Sequence, residues 1–109
     1  MPMRSSLVGG ALATLVACGS VQVGSDFNLH TFEKNVQRGV TTQEQIRGWL
    51  GPPTGTGVHV DTNGERFDEW TYYYAAGKLP SMNDARLKML QVRFDRSGIV
   101  RGYNWSGGE

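Results

Sequence analysis

Two runs of alternating side chains constrain this chain most. Trp70, Tyr72 and Tyr74 occupy every second position, with Phe67, Glu69, Thr71 and Tyr73 on the intervening parity, and Leu90, Val92 and Phe94 repeat the pattern downstream. A period of two places successive side chains on opposite faces of a strand, so both runs predict β-structure with one buried face. Asp95-Arg96-Ser97-Gly98 then reads as a turn and residues 99–105 as the returning strand. If Gly98 takes the left-handed place in a three-residue loop, Phe94 faces Val100 across the hairpin. Upstream, Asn63-Gly64 is a strong hairpin signal between a further edge strand at Val58-His59-Val60 and the run from Glu65, while Thr54 to Gly57 reads as a flexible loop. Gly77, Pro80 and Asn83 mark 75–84 as a loop.

A different period precedes the sheet. Leu29, Phe32 and Val36 recur at spacings of three and four, which predicts an amphipathic helix capped by Ser25 or Asp26 and closed by Gly39. Thr41-Thr42-Gln43-Glu44 fits a capping box in which the Thr41 hydroxyl and the Glu44 carboxylate serve backbone donors. Ile46, Trp49 and Leu50 share one face of the second helix, and Gly51-Pro52-Pro53 stops it. The expected fold is α+β, two short N-terminal helices packed on one face of a three- to four-stranded antiparallel sheet, in the order α-α-β-β-β. Eleven aromatic residues in 109 supply the apolar surface for one small core, and the fifteen glycines carry no Gly-X-Y period.

The amino-terminal eighteen residues follow other rules. Arg4 is the only charge before Asp26, and Leu7 to Ala17 is an apolar run of the length of a signal-peptide core. At about 1.5 Å per residue it spans roughly 16 Å, about half the hydrocarbon thickness of a bilayer. An uncleaved helix through Ser5 to Ser25 is the alternative, but its glycines, serines and Gln22 dilute the apolar character that a span needs. Leu15-Val16-Ala17-Cys18 resembles the lipobox of bacterial lipoproteins. The resemblance implies removal of residues 1–17, diacylglycerol on the Cys18 thiol and acylation of the new amine. Two or more acyl chains anchor a protein stably where one does so only marginally. Gly19, not Asp, after the cysteine implies export to the outer membrane. Residues 18–25 are then a lipidated tether, 26–105 the folded domain and 106–109 a flexible tail.

Gly39-Val40-Thr41 leading to Leu50-Gly51-x-Pro53, then Trp70-x-Tyr72-x-Tyr74, then Leu90-x-Val92-x-Phe94-Asp95-x-x-Gly98-x-Val100, resembles the SmpA/OmlA family of BamE-like outer-membrane lipoproteins. The likeness covers about residues 32–101. It implies two helices on a small antiparallel sheet and, by function, an accessory lipoprotein of the machinery that inserts β-barrel proteins into the outer membrane. Every matching residue caps, turns or fills the core, so the motif specifies fold better than role.

Catalytic and ligand motifs are sparse. One cysteine excludes an internal disulfide and any zinc site with two thiolates. His30 and His59 lack the close spacing of metal-ligand pairs, and Asp68 and Glu69, adjacent on a strand, face opposite ways and cannot cooperate as acid and base. Gly55-Thr56-Gly57 lacks the third glycine and following helix of a phosphate loop, and Asp61-Thr62-Asn63-Gly64 lacks the distant glutamate of a calcium loop. A net charge of +1 argues against nucleic acid as the main partner. No enzyme activity, metal or cofactor is expected beyond the covalent lipid on Cys18.

One surface remains. Strict alternation sends Met89, Gln91 and Arg93 outward together with Ile99, Arg101, Tyr103 and Trp105, a face of mixed aromatic and cationic groups. Arg86, Lys88, Arg93, Arg96 and Arg101 are set against the single acid Asp95 in residues 86–101. Met89, Arg93, Arg101, Tyr103 and Trp105 are therefore the candidate contact residues, toward anionic lipid or an acidic partner such as a β-barrel assembly complex. The expected protein is a non-catalytic lipoprotein on the inner leaflet of the outer membrane, facing the periplasm, that scaffolds barrel assembly or maintains the envelope. The alternative is a lipid-anchored inhibitor or sensor of a periplasmic enzyme.

Overall fold

The computed structural model describes residues 19–79 and 83–107. Its elements are strand β1 (Gly19–Gly24), helices α1 (Leu29–Asn35) and α2 (Gln43–Leu50), and strands β2 (Gly55–Val60), β3 (Arg66–Leu79), β4 (Asn83–Phe94) and β5 (Val100–Gly107). The class is α+β, with two helices and a five-stranded antiparallel sheet. β3 is the spine. β4 pairs along one edge of it and β5 lies beyond β4. The opposite edge is shared, β2 taking residues 66–71 and β1 taking residues 74–79.

The core forms where the two periods meet. Trp70, Tyr72, Leu90, Val92, Phe94 and Val100 are buried on one face of the sheet, beneath Phe27, Leu29, Phe32 and Ile46. Val36, Trp49, Leu50 and Tyr74 pack around them. Phe94 meets Trp70 edge-on at 4.9 Å between ring centroids, a favoured geometry because the positive ring edge meets a negative face. The expected Phe94–Val100 pairing is present, and Gly98 has φ +80°, the left-handed value the turn demands. Asp95 fastens that turn, its Oδ1 accepting the N–H groups of Ser97 and Ile99. The Asp61–Gly64 hairpin also forms, with Asp61 accepting from Asn63 and Glu65.

Four boundaries differ from expectation, each for a tertiary reason. The tether is in fact a strand, because residues 19–24 find the vacant half-edge of β3. Gly55–Gly57, expected as a loop, is the start of β2, held by the other half of that edge. Ala75–Leu79 extends β3 and Asn83–Asp84 opens β4, so strand pairing takes up most of the 75–84 loop. Ser106 and Gly107, read as tail, complete β5 by pairing with Met89 and Lys88. The sheet therefore has five strands where three or four were expected.

The caps shift as well. Asn28, not Ser25 or Asp26, caps α1, its side chain accepting from the Thr31 N–H at 3.1 Å. α1 closes at Val36, ahead of Gly39, which instead donates its N–H to the Val100 carbonyl at 2.8 Å. The capping box sits one residue late. Thr42 and Gln45 exchange the two reciprocal hydrogen bonds. Thr41 is buried and engaged elsewhere, its hydroxyl accepting from the Gln37 N–H and its carbonyl from the Val100 N–H.

Candidate contact surfaces

Whether the five candidate contact residues share a face is decided by one extra residue. Phe94 pairs with Val100, but the next pairs are Arg93 with Gly102 and Val92 with Tyr103. Arg101 is thus the extra residue of a β-bulge, and a bulge reverses the parity of everything beyond it. Tyr103 and Trp105 consequently sit opposite Val92 and Leu90, on the helix side of the sheet, contrary to strict alternation. The Tyr103 ring meets Phe32 of α1 edge-on at 5.2 Å, and Trp105 lies nearly parallel to Tyr103 at 6.0 Å. Both rings stay partly in solvent, 36% and 43% exposed, so they form the rim of the helix-covered face.

Met89 and Arg93 keep the outward direction expected of them. Met89 lies between Tyr73 and Ser106, and Arg93 between Glu69 and Gly102. The predicted aromatic and cationic face is therefore split: Met89 and Arg93 on the open face, Tyr103 and Trp105 on the helix side, Arg101 in the bulge between. Ile99 bridges to Thr42 and belongs with the turn.

Ion pairs remove most of the expected positive character. Arg93 Nε lies 3.1 Å from Glu69 Oε2, and Arg101 Nε lies 2.7 Å from Asp95 Oδ2. Lys88 Nζ lies 2.6 Å from Asp26 Oδ1 and donates to the Phe27 carbonyl at 2.5 Å. Three of the five basic residues in 86–101 are thus occupied locally. The Ile99 N–H and then the Arg101 guanidinium hold the Asp95 carboxyl below its usual range, and the hydrogen bond from Lys88 does the same for Asp26. Burial pushes the Tyr72 phenol up to about 12, its hydroxyl donating to the Gly51 carbonyl at 2.8 Å.

His30 lies with Asp26, Glu33 and Lys88 around an open concavity of about 550 Å³ beside α1. Asp26 there is already bound to Lys88. His59 is half-buried on β2 beside Phe67, 6.4 Å between ring centroids. Asp68 and Glu69 do lie on opposite faces, the former opposite Phe94 and the latter opposite Arg93. Among the described residues no three of His, Cys, Asp and Glu converge as a metal set, and no helix is long and apolar enough to cross a membrane. Cys18, the expected site of lipidation, and residues 1–17, expected as a leader, lie outside the described residues. The residue that the sequence could not reveal as decisive is Arg101. A bulge has no sequence marker here beyond the neighbouring Gly102. No family model, curated protein or solved structure matches this chain.

Proposed function

We propose that this chain is a lipid-anchored, non-catalytic envelope protein of the SmpA/OmlA, BamE-like kind, held on the inner leaflet of the outer membrane and acting as an accessory scaffold in β-barrel assembly or envelope integrity. The observation that carries the reading is Leu15-Val16-Ala17-Cys18 at the end of an uncharged apolar run. Two helices over an antiparallel sheet, in an order that contains the expected α-α-β-β-β, support the family likeness. Anchoring raises the effective concentration of a small surface for its neighbours, so weak contacts suffice. The Tyr103–Trp105 rim and the open face around Met89 and Tyr73 are two surfaces open to such contacts.

The test is mass measurement of the protein from envelope fractions, followed by crosslinking in intact cells. A chain beginning at a Cys18 that carries fatty acyl groups, captured with a barrel-assembly complex, is the expected result. Residues 1–17 still attached and no added lipid would overturn the proposal. A stoichiometric complex with a soluble periplasmic hydrolase would replace the scaffold role by inhibition.

A further inference from the structure

β1 changes what an anchor at Cys18 does. An eight-residue flexible tether has a root-mean-square reach of roughly 15 Å and would let the domain tumble beside the membrane. Instead the chain enters the sheet one residue after Cys18, with Gly19 opposite Leu79 and Gly24 opposite Tyr74. Consecutive Cα atoms are about 3.8 Å apart, so a lipid on the residue preceding Gly19 would draw the far end of β3 toward the bilayer.

The chemistry of that end suits a bilayer surface. Lys78 and Arg86 lie on the helix-side face of the sheet, Lys78 opposite Ser20 and Arg86 opposite Ala76. Both are exposed, around an open concavity of about 510 Å³. Neither has a carboxylate within ion-pair distance among the described side chains, whereas Lys88, Arg93 and Arg101 are each taken. On the opposite face, Val23 and Leu87 flank Ala75 and are 51% and 56% exposed. Cations on one face and exposed aliphatic groups on the other, both at the same end of the sheet, match anionic headgroups over acyl chains.

We infer that the Lys78–Arg86 end of the sheet seats on the anionic bilayer surface, so that the domain stands off the membrane in one orientation. This inference rests on the lipoprotein reading above and adds to it a contact surface and a direction. From Leu79 to Asp68 the spine runs eleven residues, which at about 3.3 Å each is roughly 36 Å. The Asp95–Gly98 turn, next to the Asp68–Phe94 pair, is then held several Debye lengths from the headgroups, since that length is about 8 Å at physiological salt. Arg96 contributes nothing to the contact, and Lys78 and Arg86 contribute most of its charge.

The experiment uses the mature lipidated protein in vesicles of phosphatidylethanolamine with one quarter phosphatidylglycerol, carrying a headgroup-attached quencher. A fluorophore is placed on Ala85→Cys or on Ser97→Cys, both exposed positions. Strong quenching at 85 and almost none at 97 is expected, and Lys78→Gln with Arg86→Gln should weaken the headgroup contact roughly thirtyfold, at about fivefold per basic residue, releasing the quenching at 85. Neutral phosphatidylcholine or high salt should act in the same direction. Equal quenching at the two positions on a protein whose mass shows the lipid overturns the inference alone. Absence of the lipid overturns the lipoprotein reading and the inference with it. Fast amide exchange throughout residues 20–24 in the folded protein also overturns the inference, because β1 would then be the tether that the sequence resembles.

Discussion

Tyr72 shows how one residue ties the helices to the sheet. Its ring is buried against Phe27, its backbone is paired with Leu90, and its hydroxyl reaches Gly51 at the end of α2. The folded phenol titrates near 12, above the ordinary 10. The unfolded chain therefore releases its proton first, and stability present below pH 10 declines between about pH 10 and 12, by on the order of 2 kcal/mol. Tyr72→Phe should flatten that alkaline decline in denaturant titrations. Asp26 and Asp95 act in the opposite sense. Their folded carboxyls ionise more readily than unfolded ones, so their contribution is present at neutral pH and is lost as pH falls below about 4. Thr42→Ala should cost about 1 kcal/mol through loss of the cap, and Thr41→Ala should also destabilise, by freeing the Gln37 N–H. Sequence placed the capping box one residue early because Thr41 and Thr42 carry the same hydroxyl. Only the docking of Thr41 against Val100 assigns them different tasks.

At the scale of elements, two features separate pattern from structure. The buried face of β3 and β4 was legible because aromatic and aliphatic residues fall on one parity for several positions in succession. The far half of β5 was not legible, since the bulge at Arg101 reverses the parity beyond the Phe94–Val100 register that the Gly98 turn sets. A consequence follows for Tyr103. Tyr103→Ala should destabilise the domain by about 1 kcal/mol through the lost edge contact with Phe32, whereas an outward tyrosine would be nearly neutral. Arg93→Glu and Arg101→Glu should act first as local repulsions against Glu69 and Asp95, lowering the thermal midpoint slightly. β1 offers a sharper test. Gly24 has φ +76°, and a Cβ there would run into the Tyr73 carbonyl, so Gly24→Ala should detach β1. Amide exchange should then accelerate in residues 19–24 while residues 89–94 stay protected.

For the whole molecule, the proposed anchor and the fold are separate determinants that would meet at residue 19. Cys18→Ser should leave a folded domain that is lost from the membrane fraction; normal retention after that change would remove the lipid anchor from the account. The sheet edges explain why the fold differs from a bare α-α-β-β-β arrangement. β3 is long enough to present two consecutive half-edges, and unpaired backbone groups there recruit β2 and β1. The start of β5 is closed differently, by Gly39 and Thr41 bonding to Val100 and by Gln43 bonding to Gly98. The linker between the helices thus serves as an edge cover.

Sequence by itself determined what short-range periodicity and local chemistry can specify: two amphipathic helices, two inward-facing strands, the turns at Gly64 and Gly98, and an apolar run that ends at a single thiol. Tertiary structure alone decided that residues 19–24 form a strand, that Tyr103 and Trp105 face the helices, and that Lys88, Arg93 and Arg101 are neutralised by partners. Those outcomes depend on which backbone edge is vacant, which register the bulge sets, and which carboxylate lies within reach. The first depends on contacts between residues distant in the chain, as do the Lys88–Asp26 and Arg93–Glu69 pairs, whereas the Arg101–Asp95 pair is closed within one hairpin by the bulge, and no alternation of side chains encodes any of them.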